Sequence, residues 1–292
     1  MSREFHSFKR LVLGLQPGAH DRTMQLAVEL ADLLHLDLLG LFFEDTSLRD
    51  LASIPFSREF RPLGGGWHTI DLDRLLHDFE FAARSIERKF MGAAKRLPTG
   101  CQFEVARGSL AKTFASVSRS DDIVMIVEPQ SPAERATQQF AWLLEAAFRS
   151  AAAVMLVPPH ITRTKGPVVA IAASTGDPCV RAAAAIALAA REELVIIDTD
   201  GYNTGDPDMR KLTADTGLSI KHIAAASLKL TDPAACALAL RQIQERLIVM
   251  TRGGFADQAA SEIAAARRVP VLVVEPEEVV PDEMMPRPTA VH

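Results

Sequence analysis

The order of apolar and polar segments along the chain occurs twice. In the first half, an apolar run at residues 11–15 is followed by a polar turn, a segment rich in Ala and Leu, and further apolar runs that end at 154–158. A second series of the same kind begins at residues 168–172 and ends at 271–274, with Pro276 beyond it. This repetition predicts an internal duplication of a unit in which strands and helices alternate.

The apolar runs are continuous rather than alternating, which is typical of parallel strands covered on both faces. The predicted strands span residues 11–15, 37–43, 102–106, 123–127 and 154–157, and then 168–172, 194–198, 219–224, 247–250 and 271–274. The predicted helices span residues 20–34, 72–97, 133–149, 178–191, 207–216, 232–245 and 256–267, with one more that begins at Ser109. Right-handed crossovers between these strands predict an α/β fold of two tandem doubly wound five-stranded parallel sheets, each with strand order 3-2-1-4-5. Such Rossmann-like sheets bind ligands where the strand order reverses, at the carboxyl ends of strands one and four.

The duplication predicts two domains and a tail. The first domain spans residues 1–160 and includes a long irregular connection at 44–71 and a long amphipathic helix at 72–97. The second domain spans residues 167–276, after a linker that contains Pro and Gly. The acidic, Pro-rich residues 277–292 are predicted to form a disordered tail.

Composition narrows the classes of protein that fit. A net charge of -5 argues against a general nucleic-acid binder, which usually carries a basic face. Cys101, Cys179 and Cys236 are far apart and odd in number, so they predict neither a disulfide framework nor a metal site, and they favour a reducing compartment. No apolar run approaches the ~18 residues of a membrane span, and no secretory signal precedes the first strand. We therefore expect a cytoplasmic protein without a nucleic-acid or membrane partner.

Candidate ligand-binding residues lie in the loops that follow the predicted strands. In the second half these residues are Ser174, Thr175, Gly176, Asp177, Thr251, Arg252, Gly253 and Gly254. In the first half, Gln16 follows the first strand and Arg107 follows the third. Each loop also has a structural interpretation, in which residues 174–177 cap a helix and residues 251–254 form a tight turn that needs glycine. No nucleophile, His and acid arrangement and no metal-ligand spacing is found, so we predict no catalytic residues and no metal site.

Three sequence features resemble the universal stress protein family in its tandem form, over about residues 8–276. The first strand of each half is followed by a short loop and a helix rich in Ala and Leu. Ile-Val-Met occurs in the fourth strand of each half, at residues 123–125 and 248–250. Residues 269–274, Val-Pro-Val-Leu-Val-Val, are similar to the terminal strand of that family. The resemblance implies an adenine nucleotide alpha hydrolase-like fold and a role in the stress response.

The resemblance also implies how the two halves associate. Dimers of that family commonly meet through their last strands, which implies that residues 154–157 and 271–274 pair antiparallel across a pseudo-two-fold axis. Such pairing would cover two edge strands that otherwise promote aggregation. The covalent duplication is then a built-in dimer, and further self-association as a homodimer is left open.

The first half departs from the motif with which members of the family bind ATP. That motif places glycines after the fourth strand, so that backbone N–H groups and a helix N-terminus hold the phosphates. When the two Ile-Val-Met runs are aligned, Ile126 and Pro129 occupy the glycine positions, with Glu128 between them. Pro129 has no N–H to donate, and Glu128 repels phosphate. Gln16 stands where the family has an acidic residue.

The second half keeps more of the motif. Thr251 replaces the first glycine, Gly254 keeps the second, and Ala173 stands at the position of the acid. Two hypotheses follow. In the first, the protein is a stress or regulatory module that acts through a protein partner or another small molecule, without binding ATP in the family's usual mode. In the second, it binds ATP and Mg²⁺ through residues 251–254, with at most slow hydrolysis.

Overall fold

The structure is a computed structural model. It describes residues 8–15, 21–44, 54, 56–61, 66–108, 116–129, 138–150, 152–174, 176–199, 214, 217–224, 233–253 and 256–276. The predicted tail at 277–292, the helix predicted from Ser109 and nearly all of the helix predicted at 207–216 lie outside the described residues.

The described elements follow the predicted order closely. The first half contains β1 (Arg10–Leu15), α1 (Asp21–Leu34), β2 (Asp37–Glu44), β3 (Arg58–Arg61), β4 (Gly66–Thr69), α2 (Leu72–Ala94), β5 (Cys101–Arg107), β6 (Asp122–Val127), α3 (Gln138–Phe148) and β7 (Ala153–Val157). The second half contains β8 (Val168–Ala172), α4 (Pro178–Ala190), β9 (Leu194–Asp198), β10 (Ile220–Ala224), α5 (Pro233–Ala239), a 3-10 turn (Leu240–Gln242), β11 (Leu247–Thr251), α6 (Ala256–Arg267) and β12 (Val271–Val274).

The large sheet has ten strands in the order β10-β9-β8-β11-β12-β7-β6-β1-β2-β5. Each half therefore has the strand order 3-2-1-4-5, and the predicted fold class is confirmed. The halves meet where β7 and β12 pair antiparallel, with Met155 opposite Leu272, as a pseudo-two-fold arrangement requires. The domain limits at 160 and 167 stay a prediction.

Helices cover both faces of this sheet, which explains why its strands are apolar throughout. One face packs against α1, α2 and α4. The other face packs against α3, α5 and α6. Helix α2 shows the cause: its buried residues Ala83, Ile86, Phe90 and Ala94 recur every three or four positions, and Asp71 caps its first turn. Among the described helices, none is both long and apolar enough to cross a membrane.

The register of the strands corrects the alignment of the two Ile-Val-Met runs. Leu11 pairs with Ile123 in β6, whereas the corresponding Val168 pairs with Leu247 in β11. Ile123 is thus equivalent to Leu247 and not to Ile248. The side chains of Ile123 and Ile248 lie on opposite faces of the sheet. A strand that is buried on both faces carries no alternation to reveal such a shift of one residue.

The described part of the connection at 44–71 contains an element that the sequence did not indicate. Strands β3 and β4 form an antiparallel hairpin in which Phe60 lies opposite Trp67, with ring centroids 5.4 Å apart. Strands of four residues are too short to display a clear period in the sequence. Trp67 is 66% exposed, so most of its ring is open to solvent.

Helix α5 is shorter than the predicted helix at 232–245. It ends at Ala239, continues as a 3-10 turn to Gln242, and gives way to extended backbone at Ile243. The Arg267 guanidinium donates to the carbonyl oxygens of Leu240 and Ile243, at 2.8 and 2.9 Å. These bonds satisfy acceptors that a helix end leaves open, so the helix can stop without a glycine.

Side chains from each half contact the other half across the seam between β7 and β12. The backbone N–H of Glu128 donates to Val157 and that of Arg252 donates to Val274, which makes Glu128 and Arg252 equivalent in the two halves. Glu128 is buried and accepts a hydrogen bond of 2.6 Å from Ser261 in α6. Glu128 of the first half thus contacts the second half through Ser261. Arg252 of the second half contacts the first half just before β7.

Arg252 makes several contacts across this seam. Its Nη1 and Nη2 donate to the carbonyl oxygens of Ser150 and Ala152, at 3.0 and 2.9 Å. Nη1 also forms an ion pair with Glu275, and the guanidinium lies 5.6 Å from the centroid of the Phe148 ring. The side chain is 13% exposed, so these bonds are largely shielded from water. Arg252 thus holds the halves together.

Substitution of Arg252 by Ala should destabilise the protein by about 2–4 kcal/mol, because buried carbonyl oxygens and Glu275 lose a charged partner. Denaturant unfolding should show a lower midpoint. Arg149→Ala is the matched control, since that side chain is 75% exposed and forms a surface ion pair with Glu145. The control should change stability by no more than about 0.5 kcal/mol. Equal effects of the two substitutions would contradict the seam role of Arg252.

The close contact between β2 and α2 supplies a second test. A Cβ atom on Gly40 would lie 2.8 Å from Cε1 of the fully buried Phe90. Gly40→Ala should therefore destabilise the protein by about 1–3 kcal/mol through overpacking. In α2, a Cβ atom on Gly92 would meet nothing within 4 Å, so Gly92→Ala should stabilise by roughly 0.5–1 kcal/mol. A stabilising Gly40→Ala would show that the ring moves freely.

Candidate functional site

The strand order of the second half reverses between β8 and β11, which are parallel neighbours. Their carboxyl ends bring together the two loops that sequence analysis selected, at residues 173–177 and 251–253. Thr175 and Gly254 lie outside the described residues. Of the candidates that the structure describes, it brings Asp177 and Thr251 into contact.

Asp177 is the residue that joins these loops. It is the N-cap of α4, and its carboxylate accepts hydrogen bonds from the backbone N–H groups of Cys179 and Ala173, at 3.5 and 3.2 Å. The hydroxyl of Thr251 also donates to this carboxylate. Thr251 in turn accepts from the N–H of Cys179, at 3.2 Å. A closed network therefore fills the N-terminus of α4.

This network decides what the loop can bind. A helix N-terminus carries a partial positive charge and free N–H groups, which makes it a general anion site. Here the anion is the side chain of Asp177, and the N–H of Cys179 already has protein acceptors. A phosphate at this place would have to displace a carboxylate that is covalently fixed there. The observed geometry is that of a helix cap.

The thiol of Cys179 lies directly beneath the cap. It is fully buried and donates to the carbonyl oxygen of Ile171, at 3.4 Å. Burial raises the pKa of this thiol well above its usual range, and the nearby carboxylate of Asp177 raises it further. A thiol in this environment stays protonated and is a poor nucleophile.

The other second-half candidates do not converge on the loop. Arg252 is directed into the seam, as described above. Ser174, Gly176 and Gly253 are exposed. Ser174 contributes its backbone carbonyl, which accepts from the N–H of Asp177 at 3.2 Å.

The first half also has a carboxylate where its strand order reverses, between β1 and β6. Glu128 follows β6 directly and is 2% exposed. Gln16 lies outside the described residues. Arg107 ends β5, the edge strand, and pairs with Glu44 at the end of β2, with Nε and Oε2 2.8 Å apart. The structure therefore places Arg107 three strands away from Glu128, in an ion pair of its own.

Sequence analysis missed a buried acid at the same edge of the second half. Asp198 ends β9 and is fully buried, with Oδ2 3.7 Å from Nε2 of His222 in β10. An acidic residue that directly ends an apolar strand was the available signal. In the part of the chain that the structure describes, no group of three or more His, Cys, Asp or Glu side chains is placed to hold a metal ion.

Comparisons with known proteins give a likeness of structure rather than of sequence. No family model and no curated protein matches the sequence. A universal stress protein from Archaeoglobus fulgidus DSM 4304 has a TM-score of 0.61 and 13% identity, over 94% of this chain and 98% of the other. A candidate universal stress protein from Pseudomonas aeruginosa UCBPP-PA14 has a TM-score of 0.52 and 15% identity, over 93% and 95%.

A third solved structure, of the functionally unknown protein PA1789 from Pseudomonas aeruginosa PAO1, has a TM-score of 0.51 and 15% identity, over 93% of this chain and 94% of the other. These likenesses extend over nearly the full length of every chain compared. The resemblance that the sequence suggested is thus confirmed at the level of the fold. The chain shares the fold of these universal stress proteins over nearly its whole length.

Proposed function

We propose that this protein is a tandem universal stress protein-like regulatory module that does not bind ATP in the family's usual mode. The observation that supports this proposal most directly is the carboxylate of Asp177 at the N-terminus of α4, held by Thr251 and by backbone N–H groups. This carboxylate already uses the N–H groups of that helix N-terminus, so a phosphate that bound there would have to displace a fixed negative charge. In the first half, Glu128 places a buried carboxylate directly after β6, which is unfavourable for a phosphate in that loop.

The commitment of Arg252 to the seam supports the same proposal. A nucleotide site in this loop would need a cation to balance the phosphates, and Arg252 is the nearest one in sequence to Thr251. Its guanidinium instead binds two carbonyl oxygens and Glu275. The regulatory role then depends on another ligand or on a protein partner. We propose that the protein acts in the cytoplasm, and homodimer formation is left open. Neither nucleic acid nor a membrane is part of the proposal.

The alternative is an adenine-nucleotide binder that uses residues 251–254, with Mg²⁺ as the accompanying ion. It is favoured by the position of this loop at the reversal of strand order, where sheets of this class bind ligands. For the regulatory module we propose no enzymatic activity, and for the alternative we propose at most slow ATP hydrolysis.

Unfolding free energy in the presence of millimolar ATP and Mg²⁺ separates the two functions. A ligand at 100 times its dissociation constant adds about 2.7 kcal/mol of stability. We expect no stabilisation of the wild-type protein, measured by denaturant titration at constant Mg²⁺. Stabilisation that Gly254→Val abolishes would establish the alternative, because a bulkier residue there would block close approach of the phosphates.

Removal of the charge at position 177 tests why phosphate is excluded. Asp177→Asn keeps an oxygen that can cap α4, but it leaves the helix N-terminus without a resident anion. We expect this variant to acquire measurable binding of inorganic triphosphate by calorimetry. Asp121→Asn is the control, because Asp121 lies at the amino end of β6 in an ion pair with Lys9. Failure of Asp177→Asn to gain binding would show that the carboxylate is not what excludes phosphate.

A further inference from the structure

An amphipathic groove lies beside the seam, on the face that α1 and α4 cover. One wall consists of α1 side chains, chiefly Leu26, Leu30 and Leu33, while Ile186 of α4 and Met155 of β7 also line it. The enclosed part of the groove has a volume of about 50 Å³, and the rest of the groove is open to solvent. Only a slender group fits into the enclosed part. Its surface is mostly apolar.

The opposite wall comes from the linker between β7 and β8 and from the start of β11. Ile161, Arg163 and Thr164 of the linker line the groove, together with Arg246. The N–H of Thr162 donates to the carbonyl of Arg268 at 3.0 Å, and the N–H of Arg246 donates to that of Pro167, also at 3.0 Å. The wall is therefore fixed to the second half before any ligand arrives.

Arg163 carries positive charge into this wall. Its Nε donates to the carbonyl of Glu245 at 2.9 Å, and its Nη2 donates to the Glu245 carboxylate at 3.2 Å. Arg267 donates to the same carboxylate through Nε and Nη2, at 2.8 and 3.0 Å. Two arginines thus share one fully buried carboxylate, which leaves one positive charge in excess. Among the described residues, no group accepts a hydrogen bond from Nη1 of Arg163.

Arg246 places a second guanidinium on the same wall. Its Nη1 binds Glu192 at 2.9 Å, and its side chain is only 17% exposed. Within the described part of the chain, its Nε and Nη2 have no acceptor. The guanidinium groups of Arg163 and Arg246 are thus held in place by acids behind them, while N–H donors remain for a ligand.

We propose that this groove binds a small amphipathic monoanion, a carboxylate that carries an unbranched acyl chain. The chain would lie along the leucines of α1, where burial of apolar surface is favourable. The carboxylate would accept hydrogen bonds from Arg163 and Arg246, whose planar donors match its geometry. Glu29 of α1 also lines the groove, and its carboxylate repels a doubly charged ligand more strongly than a monoanion.

The site would be distinct from the loops at residues 173–177 and 251–253. Arg246 directly precedes β11, whereas Thr251 ends it, so the length of the strand separates the two places. One wall of the groove is the linker itself, which exists only because the two halves form one chain. The proposal therefore stands independently of whether ATP binds.

Calorimetric titration with decanoate tests the proposal, at concentrations below micelle formation. We expect saturable binding at one site per chain. Decanol, which has the same chain without the charge, should bind at least about tenfold more weakly, and decyltrimethylammonium should not bind. Equal affinity for decanoate and decanol would overturn the proposed recognition of an anion. Absence of decanoate binding at millimolar concentration would overturn the site itself.

Two variants assign the binding to this groove. Leu30→Trp fills it from the α1 side and should abolish decanoate binding, while Arg246→Gln should weaken it at least about tenfold. The matched controls are Leu188→Trp, on an exposed position of α4, and Arg88→Gln, on an exposed position of α2. Circular dichroism verifies that each variant is folded. Binding that survives Leu30→Trp, or that the controls reduce equally, would refute the location.

Discussion

The antiparallel pairing of β7 and β12 is the constraint on which the rest of this molecule depends. Both strands are the last of their half, and each would otherwise expose a row of unpaired backbone groups at an apolar edge. Pairing them in the same chain joins two sheets into one and relates the halves by a pseudo-two-fold axis. A residue that contacts the other half then has an equivalent that does the same from the other direction. Glu128 and Arg252 are such a pair, and each contacts the opposite half.

This constraint also explains how the two places of strand reversal came to differ from a phosphate site. Arg252 follows β11, where it can either serve a ligand in the loop or bind the carbonyl oxygens at the start of β7. It does the second. The hydroxyl of Thr251 donates a hydrogen bond to the carboxylate of Asp177 instead of to a ligand. Groups that could recognise an anion are thus used to hold the halves and the helix cap together.

The sequence predicted the strands of the large sheet and their order within each half, because apolar runs that alternate with helical segments leave few possible topologies. The seam was implied by the family resemblance. It could not reveal that Ile123 in β6 is equivalent to Leu247 in β11, because both faces of those strands are buried. It also could not indicate the direction of Arg252, because a side chain that follows a strand can turn to either side of the loop. The hairpin at Phe60 and Trp67 and the buried Asp198 depend on contacts between segments that are distant along the chain or too short to show a period.

Pseudo-symmetry gives a reason to look beyond the two loops for function. A duplicated fold presents most of its features twice, but the linker occurs once and follows β7 directly. Its residues Ile161 and Arg163 form part of one wall of the amphipathic groove beside the seam. The buried pairing of Arg163 and Arg267 with Glu245 fixes that wall. Burial of one acid between two arginines would be costly for stability alone, because hydrophobic residues of similar volume often serve as well. Its effect here is to place an excess positive charge beside an apolar groove that spans both halves, where a bound ligand would contact α1 of the first half and β11 of the second.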